Sequence, residues 1–143
     1  MTGTVVFDLD GTLADTSADL IAAANACFRA RGIEVALDPV ADALTAFHGG
    51  RAMLRAGYGR MGADLLLPPG AEDEDYPRLL DHYGDNIAVH TKLYPGVEAV
   101  LDRLRADGHV LAVCTNKPGG LAETLLHAPV SYTHLTLPTK RIV

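Results

Sequence analysis

Two aspartates, Asp8 and Asp10, lie at the end of a short apolar run, residues 4–9, that is typical of a buried parallel strand. Ligands of open α/β sheets bind beyond the carboxyl ends of the strands, and strand alternation would place both aspartates on one side. Such close carboxylates repel each other unless a cation or a shared proton holds them, and their oxygens suit Mg²⁺. One carboxylate could then act as a nucleophile while the other transfers protons. An isolated pair of this kind could equally cap the following helix.

The residues around the pair form a longer pattern. Residues 5–15, V-V-F-D-L-D-G-T-L-A-D, resemble the first motif of the haloacid dehalogenase-like hydrolase superfamily at every position. The resemblance implies that Asp8 accepts a phosphoryl group and that Asp10 is the general acid and base. It also implies that the Asp8 carboxylate and the Asp10 backbone carbonyl bind Mg²⁺. Dehalogenases of this fold lack the second aspartate, so Asp10 favours phosphoryl transfer over cleavage of a carbon–halogen bond.

A second apolar strand, predicted over residues 109–114, is followed by Thr115, Asn116 and Lys117. A hydroxyl and backbone N–H groups at a strand end, just before a helix N-terminus, can bind an anion. The superfamily resemblance implies that Thr115 hydrogen-bonds the transferring phosphoryl group, with Asn116 beside it. We interpret Lys117 as structural or peripheral, because the lysine that this superfamily normally uses lies further along the chain.

Between the two strands, residues 15–91 carry apolar residues at helical spacing. The pattern predicts four helices, which begin near Thr16, Pro39, Arg51 and Glu72. Four helices at this position resemble the helical cap of the superfamily, which would exclude water from the site and recognise the non-phosphate part of a substrate.

One junction between the predicted helices contains Gly49, Gly50 and Arg51. The glycines could free backbone N–H groups while the arginine faces an anion, which would make this segment a contact for a substrate carboxylate. The alternative is an ordinary turn between helices with a surface arginine.

The predicted fold class is α/β, a partial Rossmann-like parallel sheet with an inserted helical cap domain. Residues 1–14 and 92–128 would form the partial core, and residues 15–91 the cap. Residues 130–143 resemble the translation of a sequencing-library adapter, so we expect a non-native tail on a C-terminally truncated chain. The alternative is a genuine short strand, since the segment has a β-like composition. With only two parallel strands and without the superfamily's later motifs, this chain alone is expected to be marginally stable and inactive.

Composition restricts the possible partners. The chain has 12 basic against 18 acidic residues and a pI near 5.4, without the basic cluster that nucleic-acid binding requires. No apolar run approaches the roughly 18–20 residues that span a bilayer, and the start of the chain lacks the pattern of a secretory signal. We therefore expect a cytoplasmic protein in which Cys27 and Cys114 are reduced core thiols.

Three further strings, at residues 12–16, 94–97 and 114–118, resemble the phosphoglycolate phosphatase group of the superfamily. The expected function is a Mg²⁺-dependent phosphatase that acts on a small phosphorylated metabolite, 2-phosphoglycolate, through an aspartyl-phosphate. The alternatives are a sugar phosphomutase of the same fold and a non-catalytic module that binds an anion weakly.

Overall fold

The computed structural model describes residues 1–34, 36–62, 67–128 and 139–140. In chain order the elements are β1 (Thr4–Phe7), β2 (Ala14–Asp15), α1 (Ser17–Ala30), α2 (Ala43–Phe47), α3 (Gly50–Gly59), α4 (Ala71–Asp85), β3 (Lys92–Leu93), α5 (Val97–Ala106), β4 (Val110–Cys114), α6 (Gly119–His127) and β5 (Thr139–Lys140). They fall into two compact units. The first unit joins Met1–Thr16 to His90–Val143, and the second is Ser17–Val89.

The first unit is built on a parallel sheet with the strand order β1-β4-β5. Phe7 of β1 lies opposite Val113 of β4, and Cys114 of β4 lies opposite Lys140 of β5. Strand β4 buries Leu111 and Val113, as expected for an interior parallel strand. The predicted α/β class is thereby confirmed.

Two details of the sheet differ from the prediction. Strand β1 ends at Phe7 rather than at residue 9, because the chain turns immediately afterwards. The short strand β5 adds a third strand to the two that were expected. It lies within the predicted non-native tail, of which residues 130–138 and 141–143 are outside the described ranges. The origin of the tail stays a prediction.

A small antiparallel ladder, which the sequence analysis missed, joins the two chain passages that border the second unit. Ala14 of β2 pairs with Leu93 of β3, and the N–H of Tyr94 donates to the Leu13 carbonyl at 3.1 Å. The ladder holds together the segment where the chain leaves the first unit and the segment where it returns. That the intervening unit acts as a cap stays a prediction.

The second unit consists of helices α1 to α4. The sequence predicts an apolar face of α1, and most of it is buried: Ala23, Ala24, Cys27 and Phe28 are buried, whereas Leu20 is half-buried. Helix α2 begins at Ala43 rather than near residue 39, because Asp38 Oδ1 accepts hydrogen bonds from nearby backbone N–H groups and closes a separate turn. Local side-chain bonds of this kind compete with the helix.

Helix α3 packs closely on α1 at Gly57. A Cβ atom at this position would lie 2.0 Å from Phe28 Cζ, whereas one at Gly59 would have nothing within 4 Å. We expect Gly57→Ala to lower the free energy of unfolding by about 1–3 kcal/mol, because Phe28 must move out of a packed core. Gly59→Ala, on the same helix, should be neutral or stabilising. Urea unfolding of both variants checks this, and equal effects would contradict the close packing.

Both cysteines are free thiols, Cys27 buried and Cys114 half-buried. Within the described ranges, every helix is too short or too polar to cross a membrane.

Candidate active site

The candidate site lies at the carboxyl edge of the parallel sheet. Asp8 and Asp10 follow β1, and Thr115, Asn116 and Lys117 follow β4. Because β1 and β4 are neighbours in parallel register, these two strand ends lie side by side, about 5 Å apart. Sheet pairing thus brings together two segments that are distant in the sequence.

A tight turn carries the two aspartates. The carbonyl of the fully buried Leu9 accepts hydrogen bonds from the N–H groups of Thr12, Leu13 and Ala14 at 3.2, 3.0 and 3.2 Å. Gly11 adopts a φ of +75°, which favours glycine. Strand alternation, on which the sequence analysis relied, therefore does not orient Asp8 and Asp10. Both residues belong to the turn rather than to β1.

The Asp8 side chain is exposed, and its Oδ1 accepts a hydrogen bond from the N–H of Leu9 at 2.7 Å. This contact orients the carboxylate without burying it. An exposed and oriented carboxylate can attack an electrophile or bind a cation.

Asp10 is held much more firmly, and its side chain is 19 % exposed. Its Oδ1 accepts a hydrogen bond from Thr16 Oγ1 at 2.6 Å and lies 3.1 Å from Lys117 Nζ. Thr16 is fully buried, and the Lys117 side chain is 4 % exposed. Two buried donors from different parts of the chain therefore fix one oxygen of this carboxylate.

Of the two alternatives given for Lys117, structural or peripheral, the peripheral one is wrong, because the structure places the Lys117 ammonium directly on Asp10. Burial lowers the pKa of Lys117, and the neighbouring Asp10 carboxylate opposes that shift by favouring the charged form. The signal in the sequence was a lysine two residues beyond Thr115, at a strand end that meets the first motif. For Thr16, the sequence pattern indicates only the start of a predicted helix.

Thr115 is buried and Asn116 is exposed. Thr115 Oγ1 accepts a hydrogen bond from the backbone N–H of Lys117 at 3.1 Å. A hydroxyl that accepts one hydrogen bond still has its own proton to donate. Thr115 is therefore equipped to bind an anion at the edge where Asp8 and Asp10 lie.

Comparison with known proteins identifies the family to which this geometry belongs. Residues 2–135 match the family model of haloacid dehalogenase-like hydrolases. The chain belongs to the haloacid dehalogenase-like hydrolase family. The match extends to residue 135, beyond the start of the predicted non-native tail at residue 130.

Two curated relatives of this chain differ in their named substrates. The chain is 39% identical over 114 residues to a phosphoglycolate phosphatase of Mesorhizobium japonicum. This match covers 79% of this chain and 48% of the relative. It is 34% identical over 123 residues to an N-acetylmuramic acid 6-phosphate phosphatase of Pseudomonas aeruginosa. This match covers 85% of this chain and 51% of the relative. The chain thus spans about half the length of the curated relatives it matches.

A solved structure has a similar fold. The crystal structure of a predicted phosphoglycolate phosphatase from Haemophilus somnus 129PT matches with a TM-score of 0.76 and 24% identity, over 99% of this chain and 61% of the other. The predicted resemblance to the phosphoglycolate phosphatase group is confirmed by the curated relatives.

The other predicted site residues, Gly49, Gly50 and Arg51, lie in the second unit. The N–H of Gly49 donates to the Ala46 carbonyl at 3.1 Å, so the expectation that it is free for an anion is wrong. At Gly50 a Cβ atom would lie 3.0 Å from the ring of Tyr76. Gly50 therefore allows close packing of α3 on α4, whereas a Cβ atom at Gly49 would meet nothing within 4 Å.

Arg51 forms contacts with helix α4. Its Nη1 lies 3.1 Å from Glu72 and 2.7 Å from Asp73, and its guanidinium is 4.6 Å from the centre of the Tyr76 ring. Arg51 therefore links α3 to α4, as the ordinary-turn alternative allows. A contact between Arg51 and substrate stays a prediction.

The donors at the sheet edge fit part of a Mg²⁺ site. They are the exposed Asp8 carboxylate and the Asp10 backbone carbonyl, whereas the Asp10 carboxylate is engaged by Thr16 and Lys117. Magnesium commonly binds to one or two carboxylates, several waters and a substrate phosphate. Within the ranges that the structure describes, no group of three or more His, Cys, Asp or Glu side chains could hold a metal.

Proposed function

We propose that the protein is a Mg²⁺-dependent phosphatase whose substrate is 2-phosphoglycolate. The observation that carries this proposal is the sheet edge at which the exposed Asp8 and the fixed Asp10 follow one strand and Thr115 follows its neighbour. Membership of the hydrolase family supports the reaction class. Similarity to phosphoglycolate phosphatases supports the choice of substrate.

In the proposed reaction, a carboxylate oxygen of Asp8 attacks phosphorus in line with the leaving oxygen. The bond between phosphorus and the substrate oxygen breaks, and Asp10 donates a proton to that oxygen. A water molecule then attacks the aspartyl-phosphate while Asp10 accepts the water proton. Inorganic phosphate leaves, and the carboxylate of Asp8 and the proton on Asp10 are both restored.

The neighbouring residues bind the group in transfer. The hydroxyl of the buried Thr115 donates a hydrogen bond to a phosphoryl oxygen, and Asn116 lies beside it at the strand end. The Asp8 carboxylate and the Asp10 carbonyl would hold Mg²⁺, which when bound offsets the negative charge of the phosphate.

Metal removal tests the proposal. The full-length protein read from the source locus is assayed for phosphate release from 2-phosphoglycolate, because this chain spans about half of its relatives. We expect EDTA to lower the rate by about 100-fold or more, since a bound metal contributes several kcal/mol of charge stabilisation. Excess Mg²⁺ should restore the rate.

Competing substrates make this assay specific. N-acetylmuramic acid 6-phosphate and glucose 1-phosphate are assayed beside 2-phosphoglycolate. Faster hydrolysis of either one would contradict the proposed substrate but not the reaction class. Transfer of phosphate between sugar positions without release would indicate a phosphomutase. Absence of turnover with all three would indicate a non-catalytic module.

A further inference from the structure

We propose that Lys117 is a positioning residue for Asp10, fixing Oδ1 of its carboxylate so that Oδ2 exchanges protons with the substrate and water. This inference rests on the proposed phosphatase function. It extends that function to a residue other than Asp8, Asp10 and Thr115, the predicted motif residues that follow β1 and β4. It follows from three features of the described first unit: the oxygen that is contacted, the burial of the lysine and the anchoring of its backbone.

The first feature is the choice of oxygen. Lys117 Nζ, at 3.1 Å, and Thr16 Oγ1, at 2.6 Å, both meet Oδ1 of Asp10. An oxygen that accepts hydrogen bonds from two strong donors is poorly placed to carry a proton, because protonation of this oxygen would displace one of the donors. The other oxygen, Oδ2, is therefore better suited to donate and accept the proton that the reaction requires.

The second feature is burial. The Lys117 side chain is 4 % exposed, although a lysine in an ordinary surface ion pair keeps its ammonium in water. A buried ammonium requires a partner, and Asp10 supplies a carboxylate. Because burying this charge is costly, the Lys117 ammonium favours the orientation of the Asp10 carboxylate that keeps Oδ1 in contact with it.

The third feature is the anchoring of the lysine at both ends. Its backbone N–H donates to Thr115 Oγ1 at 3.1 Å, and its ammonium contacts Asp10. Lys117 therefore connects the hydroxyl proposed to bind phosphate with the carboxylate proposed to transfer protons. Through Lys117, the end of β4 sets the position of Asp10, which follows β1.

The dependence of the rate on the leaving group distinguishes a positioning role of Lys117 from a purely structural ion pair. Cleavage of 2-phosphoglycolate expels a strongly basic alkoxide, which needs a proton from a correctly placed acid. Cleavage of p-nitrophenyl phosphate expels a weakly basic phenolate, which needs little protonation. A loss of structure would slow both reactions alike, whereas a misplaced Asp10 should slow the first much more than the second.

The experiment compares kcat/KM for the two substrates in the full-length protein, because kcat/KM reports the steps up to the first bond cleavage. We expect Lys117→Met to lower kcat/KM by about 100-fold on 2-phosphoglycolate, within the usual range for general acid catalysis. The loss on p-nitrophenyl phosphate should be about 5-fold or less, since acid assistance contributes little there. Lys117→Arg keeps the cation and should recover part of the loss.

Lys92→Met is the matched control, because Lys92 is an exposed lysine of the same unit. It should leave both values of kcat/KM unchanged. Circular dichroism and thermal unfolding establish that each variant is folded. If Lys117→Met does not fold, the two-substrate comparison is made with Lys117→Arg. Its altered geometry should reduce kcat/KM more on 2-phosphoglycolate than on p-nitrophenyl phosphate.

Two outcomes would overturn the inference alone. One is an equal loss on both substrates in a folded Lys117 variant, and the other is no loss on either. In both cases wild-type protein still hydrolyses 2-phosphoglycolate, so the proposed function stands. Wild-type protein that hydrolyses neither substrate would instead overturn the proposed function, and this inference with it.

Discussion

Asp8→Asn is expected to abolish phosphate release from 2-phosphoglycolate, lowering kcat of the full-length protein by about 10⁴-fold or more. The amide of asparagine cannot attack phosphorus as a carboxylate does. The change is nearly isosteric, and the new side-chain oxygen can still accept the hydrogen bond that Leu9 N–H donates at 2.7 Å. Because Asp8 is exposed, stability should change by no more than about 0.5 kcal/mol.

Two measurements check this prediction. Steady-state phosphate release gives kcat, and acid quenching of the wild-type reaction should trap a phosphorylated protein that Asp8→Asn does not form. Asp102→Asn serves as the control, since Asp102 is 77% exposed on α5. Its activity should match that of the wild type. A phosphoenzyme in Asp8→Asn, or full turnover, would show that Asp8 is not the nucleophile.

Asp75→Ala is expected to lower the free energy of unfolding by about 3–5 kcal/mol, the usual cost of breaking a buried ion pair. The Asp75 side chain is 1% exposed, and its Oδ2 lies 2.5 Å from Nε of Arg31. Tyr58 also donates a hydrogen bond to this oxygen. Burial pushes the pKa of Asp75 upward, yet the hydrogen bonds from Arg31 and Tyr58 outweigh burial and hold that pKa below its ordinary value.

The cost arises because Arg31 would lose its buried partner. The Arg31 side chain is 15% exposed, so water compensates its charge only in part. A total stability of 5–15 kcal/mol is typical of natural domains, so a loss of about 4 kcal/mol is a large fraction of it. Urea unfolding of the full-length protein measures the change.

Glu74→Ala provides a matched control, because Glu74 pairs with the same arginine. Its oxygen lies 3.0 Å from Nη2 of Arg31, but its side chain is 60% exposed. Removal of this exposed carboxylate should cost about 1 kcal/mol or less. Equal losses in Asp75→Ala and Glu74→Ala would contradict the assigned role of burial.

Short-range patterns predicted most of the local structure correctly. The apolar spacing of α1 predicted a buried face, and residues such as Cys27 and Phe28 confirm it. Where a side chain competes for backbone groups, the same reasoning was wrong. Asp38 binds two backbone N–H groups within three residues, and α2 consequently begins at Ala43.

The candidate site was predictable only in part. Asp8, Asp10 and Thr115 could be located because each follows an apolar strand, and parallel strands present their carboxyl ends at one edge. The catalytic roles of these residues stay predictions. The contacts of Arg51 with Glu72 and Asp73 could not be foreseen, since they depend on how two helices pack.

By itself, the sequence determined the α/β class, the positions of β1, β4 and helices α1 to α4 to within a few residues, and the family. These features depend on neighbouring residues, whose spacing sets which face is buried. Only the tertiary structure decided that Lys117 contacts Asp10, that Arg31 pairs with Asp75, and that β2 pairs with β3. Each of these contacts joins residues far apart in the chain, and burial selects the partner only once the elements have packed.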